Sequence, residues 1–280
     1  MPRLRCSTYH PVHAERSRAI AQVLNGFGHA GFCTWVHLAV GSALAAALWL
    51  LRIRTRPRLT PRVIDVIFPL AIFHLLGFYT TNASLGAVAV SLTHTIKSME
   101  PFFTVVLSWL LLGARPAGRV VVSLVPIVVG VVVASATDIS FNWMGFNAAM
   151  LSNVAFQMRN VLSKKAMLRT SYESLEGGSS DVSSLDEVNI FALMSMGACI
   201  IMLPFVAALE LPALLAVSSS PAEWMPPELW VKVCLAGVCR CAPLLIRSGF
   251  PNSRVATVCK AARLPSAGAL PASVHASLPR

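Results

Sequence analysis

Residues 86–112 form an apolar segment long enough to cross a lipid bilayer, yet Lys97 and Glu100 lie near its middle. A charge at the bilayer centre costs about 2.5–3.5 kcal/mol on insertion scales and usually faces protein or a watery cavity. Lys97 is too far from either end of the segment to reach the membrane surface easily. The segment therefore predicts a helix that lines a polar path, and the lysine predicts an anionic ligand on that path.

The composition is typical of a polytopic membrane protein. Of the 280 residues, 55% are hydrophobic and only 12% are charged, whereas about a quarter of the residues in a soluble domain are charged. The net charge of +11 comes from short loops and the two chain ends, so it indicates membrane topology and no nucleic-acid binding. We predict an all-α membrane helix bundle with about seven spans, each close to the length that crosses a bilayer. The predicted spans are 33–51, 63–81, 86–112, 119–137, 143–163, 188–209 and 228–246.

The distribution of basic residues in the loops supports this set of spans. Alternating crossings place loops 52–62, 113–118 and 164–187 on one side, and all three contain Lys or Arg. The opposite loops, 82–85, 138–142 and 210–227, contain neither. This asymmetry is the positive-inside pattern of membrane proteins, and it includes Lys164 and Lys165 as anchors at the membrane face.

The regions outside the spans differ in composition. Residues 1–32 are predicted to be an irregular N-terminal segment with the remnant of a first helix, and residues 33–246 a transmembrane transporter domain. Residues 247–280 are rich in Ala, Pro and Ser, basic and free of acidic residues, which predicts a disordered basic tail. The Ser/Gly-rich residues 170–187 predict a flexible hinge between two halves of the transmembrane domain.

Lys97 has two interpretations. It is either a ligand contact, because lysine binds phosphate as a point charge, or a structural partner of Glu100 at i,i+3. His94 is one turn before Lys97 on the same helix face, which makes it a candidate ligand contact or a packed polar residue. Pro101 removes a helical hydrogen bond just after Lys97, and broken helices near the membrane midplane often line transport sites.

Arg159 is a second candidate cation within a span. It precedes Lys164 by five residues, so it is about 7–8 Å inside the membrane face by helical rise. Snorkelling explains an arginine at that depth, whereas the polar neighbours Asn153 and Gln157 favour a polar lining. Thr81 belongs to the polar sequence TTNAS at 80–84, which we place at a helix end, where it either caps the helix or contacts a ligand.

Several functional classes lack support in the sequence. There is no P-loop, no nucleophile elbow and no zinc-protease motif, and the seven cysteines lack zinc-ligand spacing and are predicted to be free thiols. We therefore predict no metal, no cofactor and no enzymatic activity. Acidic residues within the spans are nearly limited to Asp65 and Glu100. A proton-driven pump usually has more of them, whereas an anion exchanger needs cations.

Two long motifs carry a family resemblance, dense from residue 79 to residue 167. They read AVAVSLTHTIKSMEPFFTVVLSWLLLG and SLVPIVVGVVVASATDISFNWMGFNAAMLSNVAFQMRNVLSKKAM. Both resemble the plastidic phosphate translocators, which belong to the drug/metabolite transporter superfamily. The sequence RNVLSKKAM is most similar to the phosphoenolpyruvate branch. Phe78 stands where triose-phosphate members have a histidine, which argues mildly against triose-phosphate preference.

The resemblance implies a ten-helix, inverted-repeat antiporter in a plastid envelope membrane. Such a carrier exchanges inorganic phosphate for a phosphorylated C3–C6 metabolite, such as phosphoenolpyruvate or a triose or sugar phosphate. The lysine of the H-x-x-K-x-x-E-P motif binds phosphate in that family, which implies this role for Lys97. The threonine and arginine positions that contact substrate correspond to Thr81 and Arg159. A nucleotide-sugar transporter of the endomembrane system shares this fold and is the alternative.

The chain also departs from the family pattern. Similarity fades upstream of about Val23 and after about Ala236, and no stretch matches the family's late Lys-Arg or Lys-Lys pair and its nearby tyrosine. With seven spans in place of ten, the fold is predicted to be an incomplete version of the inverted repeat. We expect a chain truncated or misassembled relative to the family, a non-transporting relative acting as a membrane scaffold, or a short form that completes its site as a homodimer.

Overall fold

A computed structural model describes residues 21, 29–53, 55–57, 59–175, 186–212 and 227–240. This part of the chain contains helices and no β-strand, which confirms the predicted all-α class. Residues 1–20 and the predicted tail 247–280 lie outside the described residues, as do 176–185 of the predicted hinge. The division into an N-terminal segment, a transmembrane domain and a tail remains a prediction.

The helices are separated by short connections in most of the described chain. The helix Glu187–Phe205 contains Pro204 near its end and is prolonged by a π-helical turn, Val206–Glu210. In chain order the helices are α1 (Ala30–Leu50), α2 (Pro61–Ala87), α3 (Val90–Lys97), α4 (Glu100–Leu112), α5 (Gly118–Thr137), α6 (Trp143–Leu175), α7 (Glu187–Phe205) and α8 (Pro227–Arg240).

Five helical segments in the described part of the chain are long and apolar enough to cross a membrane. They are Ala30–Leu50, Pro61–Ala87, Val90–Leu112, Gly118–Thr137 and Glu187–Glu210, in agreement with a polytopic membrane bundle. The other two predicted spans also coincide with helices, but α6 is more polar and α8 has 14 described residues. The total of seven spans therefore remains a prediction.

Two predicted boundaries are wrong. The helix that contains Thr81 continues to Ala87, so TTNAS lies inside α2 and caps no helix end. The threonine hydroxyls of Thr80 and Thr81 donate to carbonyls of their own helix, and Asn82 Nδ2 donates to Thr34 Oγ1 of α1 at 2.8 Å. These bonds give the two hydroxyls and the Asn82 NH2 group partners inside the bundle, which hydropathy cannot anticipate. The predicted hinge also begins too early, because α6 extends to Leu175.

The break near Pro101 is confirmed. Helix α3 ends at Lys97 and α4 begins at Glu100, with Ser98 and Met99 between them. Pro101 lies in the first turn of α4, where its missing N–H group leaves no hydrogen bond unmade. The apolar segment is therefore two helices in tandem, and the lysine lies at their junction.

Helix α2 is central to the packing and makes its most extensive contacts with α6, followed by α7. Helix α7 also packs against α1, and α1 against α8. Helix α5 contacts mainly α3 and buries only Leu124 and Val131. Its outer face carries exposed valines such as Val122 and Val132, which suits a helix that faces lipid. The bundle core and the polar residues described next lie around α2 and α6.

Candidate functional site

The candidate site lies between α2 and α6. His74, Phe78 and Thr81 are spaced by four and three residues, which places them on one face of α2. Ser152, Phe156 and Arg159 have the same spacing on α6 and form the facing surface. Contacts pair His74 with Arg159 and Phe78 with Phe156, while Thr81 and Ser152 share one partner. The two helices therefore run antiparallel with these faces in register.

That shared partner of Thr81 and Ser152 is Lys97, at the end of α3. Its Nζ donates to Ser152 Oγ at 3.1 Å and lies 3.4 Å from Thr81 Oγ1. Each hydroxyl uses its single hydrogen on a carbonyl of its own helix, Thr81 on Gly77 and Ser152 on Ala149. Both oxygens thus present lone pairs to the ammonium group, and the side chain of Lys97 is only 18% exposed.

Of the two interpretations of Lys97, the ion pair is present, and the ligand contact stays a prediction. Lys97 Nζ lies 3.6 Å from Glu100 Oε1, so the i,i+3 ion pair is present. Glu100 is the more exposed partner, at 39% of its side chain. The lysine nevertheless also reaches α2 and α6, which a purely local pair across the helix junction does not require.

The ring of Phe156 lies beside both cations. Lys97 Nζ is 4.8 Å and Arg159 Cζ 5.2 Å from the ring centroid, within the range of cation–π attraction. Because both distances are measured to the same ring centroid, the distance between Lys97 Nζ and Arg159 Cζ is no larger than the two added together. Phe156 also packs edge-on against Phe78, with centroids 5.2 Å apart, and this contact fixes the ring between the two helices.

Arg159 contacts the buried ring of His74 on α2 and the exposed amide of Asn160, its neighbour in α6. One guanidinium nitrogen lies 2.8 Å from His74 Nδ1 on α2, and two others donate to Asn160 Oδ1 at 3.2 and 2.6 Å. His74 is fully buried, and its other ring nitrogen lies 3.3 Å from Ser195 Oγ of α7. Arg159 thus contributes to the interior of the bundle, as the polar-lining interpretation expects.

Side-chain amides continue this polar cluster toward α4. Gln157 is buried, and its Oε1 accepts from Thr104 Oγ1 at 2.8 Å and from Asn160 Nδ2 at 3.1 Å. Asn160 in turn binds Arg159. Hydrogen bonds therefore run from α4 through α6 to α2, and each polar group along this line has a partner.

The helix junction before Glu100 is tied to α6 by Asn153. This residue is fully buried, and its Nδ2 donates to the carbonyl oxygen of Ile96 at 2.9 Å. Ile96 immediately precedes Lys97, so the bond fixes the backbone that carries the lysine. The Ile96 carbonyl also accepts from the backbone N–H of Met99 at 3.1 Å, so the Asn153 amide adds a second bond that links the helix junction to α6.

The structure brings together three of the four predicted site residues. Thr81 and Lys97 are in contact, and Arg159 joins them through Phe156. His94 lies one turn before Lys97, half-buried, with a solvent-inaccessible Nε2 atom; its role as a ligand contact remains a prediction.

Sequence reasoning missed His74, Ser152 and Phe156 as members of the cluster. Two signals could have found them. His74 is an ionisable residue inside a predicted span, as Lys97 is, and it is seven residues before Thr81. Ser152 and Phe156 precede Arg159 by seven and three residues, which places all three on one helix face.

The cluster carries two cations and one carboxylate among Lys97, Arg159 and Glu100. Its hydroxyl and amide groups are neutral, so the net charge favours an anion. Lysine provides a point charge and arginine a planar fork of donors, and both geometries suit phosphate oxygens. The charge and the donor geometry of the cluster therefore suit an oxyanion such as phosphate.

The sequence model of the Triose-phosphate Transporter family matches residues 19–243, which include every residue of this cluster. The chain belongs to that family. The family resemblance predicted from the sequence is confirmed, and members of the family are transporters rather than enzymes.

Relatives within the family carry consistent names. The chain is 42% identical over 222 residues to phosphoenolpyruvate/phosphate translocator 2 of Arabidopsis thaliana, covering 78% of this chain and 55% of the relative. It is 46% identical over 183 residues to phosphoenolpyruvate/phosphate translocator 1 of Oryza sativa subsp. japonica, covering 65% and 42%. The triose phosphate/phosphate translocator of Pisum sativum is 37% identical over 194 residues, covering 69% and 44%. The chain spans about half the length of these curated relatives.

Proposed function

We propose that the protein is an antiporter that exchanges inorganic phosphate for a phosphorylated C3–C6 metabolite, with phosphoenolpyruvate as the first candidate. The observation that carries the proposal is that two cations, Lys97 and Arg159, both contact the ring of Phe156. The names of the relatives support the substrate class, since they are phosphoenolpyruvate/phosphate and triose phosphate/phosphate translocators.

We place the protein in a plastid membrane, in line with the chloroplastic names of these relatives. In this mechanism Lys97 binds the phosphate group as a point charge and Arg159 binds it through its planar fork. Thr81 accepts from the lysine ammonium and also contacts the substrate beside it. His94, on α3, is a further substrate contact. Because inorganic phosphate and an organophosphate share the same charged group, they compete for one site, which is the requirement for exchange.

The test is counter-exchange in proteoliposomes that contain the full chain and an internal load of inorganic phosphate. We expect uptake of labelled phosphate that external phosphoenolpyruvate inhibits and that vanishes when the vesicles are loaded with phosphate-free buffer alone. Lys97→Ala should lower the apparent phosphate affinity about 10- to 100-fold, because a hydrogen bond to a charged group contributes about 1.5–3 kcal/mol. Lys164→Ala removes an exposed lysine from α6 and is the matched control.

Two outcomes of this assay and one further measurement separate the alternatives. Exchange driven by a nucleotide sugar but not by phosphate would replace the proposal with a nucleotide-sugar carrier. A folded chain that never exchanges any of these compounds would point to a non-transporting scaffold. Light scattering of the purified protein in detergent tests the homodimer, which we propose only as the assembly that would complete a site shared by two copies.

A further inference from the structure

We propose that His74 is the positioning residue of Arg159: as a neutral imidazole protonated at Nε2, it holds the guanidinium in the binding cleft. His74 lies on α2, seven residues before Thr81, and belongs to none of the motifs that carry the family resemblance. Its ring is fully buried, so it is enclosed by protein and acts on an anion through Arg159.

The hydrogen bonds determine the tautomer. An arginine guanidinium has donors and no acceptor, so the 2.8 Å contact between Arg159 and His74 Nδ1 requires a lone pair on Nδ1. The proton of the neutral ring is then on Nε2, which lies 3.3 Å from Ser195 Oγ and can donate to it. A ring with the opposite tautomer would direct an N–H group at the N–H groups of Arg159.

Aromatic contacts hold the imidazole in this orientation. Phe78 and Phe191 both pack edge-on against His74, with ring centroids 4.4 and 5.5 Å away and interplanar angles of 84° in each case. One ring comes from α2 and the other from α7, so rotation of the imidazole would displace side chains on two helices. The acceptor nitrogen is thereby fixed in the direction of Arg159.

Pre-positioning matters because arginine is long and flexible. Ordering a side chain of this kind on binding costs free energy. A guanidinium that has lost the His74 acceptor keeps only Asn160 of its own helix among the partners described here and can turn toward the membrane face. With His74 in place, Arg159 stays beside Phe156 before an anion arrives. Loss of His74 should therefore weaken anion binding while the steps after binding continue.

The first test is a mutant cycle on phosphate counter-exchange, which rests on the proposed function. His74→Leu should raise the KM for phosphate about tenfold, the lower end for a lost charged hydrogen bond, with a maximal rate near that of the wild type. His74→Asn should recover most of the affinity, because the asparagine carbonyl can accept where Nδ1 did. In an Arg159→Ala background, His74→Leu should cause no further change.

Two further variants test whether the effect of His74→Leu comes only from altered packing or from failure to fold. Thr80→Val alters a buried residue of the same helix whose hydroxyl bonds only its own helix carbonyls in the contacts described, and it should leave KM unchanged. If His74→Leu does not fold, Ser195→Ala serves instead, since removal of the Nε2 partner weakens the tautomer preference and should give a smaller rise in KM. An equal effect of His74→Leu with and without Arg159 would overturn the proposal.

A second readout is independent of transport. Phenylglyoxal modifies arginine, and peptide mass spectrometry measures its rate at Arg159 in the purified protein. We expect faster modification in His74→Leu than in the wild type and near wild-type protection in His74→Asn; equal rates in all three would refute the positioning role. If the wild type fails to exchange phosphate, the proposed function fails, and these rates still decide whether His74 holds Arg159.

Discussion

Gly77 controls how closely α2 and α6 approach each other at the candidate site. A Cβ atom added there would lie 2.7 Å from Cε1 and 2.8 Å from Cδ1 of the Phe156 ring, closer than side chains pack. The ring cannot move freely, because it contacts Phe78, Lys97 and Arg159. A single hydrogen atom at position 77 is therefore what allows one aromatic ring to contact both cations.

Gly77→Ala should consequently disturb binding and stability together. We expect the free energy of unfolding in mixed detergent micelles to fall by about 1–3 kcal/mol, the usual cost of overpacking, and the KM for phosphate to rise. Gly130→Ala on α5 is the matched control, because no atom lies within 4 Å of its added Cβ, and it should be neutral or slightly stabilising. Equal effects of the two substitutions would contradict this account.

At the scale of elements, the junction between α3 and α4 decides where Lys97 points. Proline chemistry interrupts the helix at Ser98 and Met99, and Asn153 of α6 binds the last carbonyl before the lysine, that of Ile96. The break alone would leave the end of α3 free to tilt. The amide from α6 ties it to the helix that also supplies Ser152.

Asn153→Ala should therefore affect Lys97 without touching it. Side-chain hydrogen bonds between membrane helices contribute about 0.6 kcal/mol on average and at most about 1.7, so the expected loss of stability is of that size. The KM for phosphate should rise as the α3 end becomes less ordered. Asn147→Ala removes an exposed amide from the same helix and should change neither quantity. A rise in KM with Asn147→Ala but not with Asn153→Ala would refute the role of the junction.

At the scale of the whole molecule, the end of the α7 segment is tied to the beginning of α1. The Glu210 carboxylate accepts from the backbone N–H of Gly31 at 3.0 Å and also from that of Phe32. A carboxylate there satisfies orphan amides and complements the positive end of the helix dipole. A Cβ at Gly31 would lie 2.5 Å from Glu210 Oε1, so this contact depends on glycine.

A double-mutant cycle tests that tie. Glu210→Ala should lower the free energy of unfolding by about 1–2 kcal/mol, and Gly31→Ala should do the same by displacing the carboxylate. Since both changes break one contact, the double variant should be no less stable than the worse single variant. Additive losses measured by detergent unfolding would show that the two residues act separately.

Much of the architecture follows from sequence patterns. Apolar segments of about 20 residues cross a bilayer as helices, since a helix bonds its backbone polar groups within the segment, and this predicts the all-α class. Lys97 within one of them must face protein for the same energetic reason. The break at Pro101 follows from the missing N–H group. The end of α2 was harder to predict, because the amide and hydroxyl groups of TTNAS are typical of a helix end. The end of α6 was predicted too early, because the Ser/Gly-rich sequence from residue 170 is typical of a linker.

Composition, the position of Lys97 in its apolar segment and two sequence motifs thus determined a membrane bundle, an inward-facing lysine and a family. Only the tertiary structure decided which side chains share the site. His74 and Arg159 are 85 residues apart in the sequence, and Asn153 and Ile96 are 57 apart. Their contacts depend on the register in which α2, α3 and α6 pack. That register is set by the volume of every side chain along the interface, Gly77 included, which no local pattern in the sequence encodes.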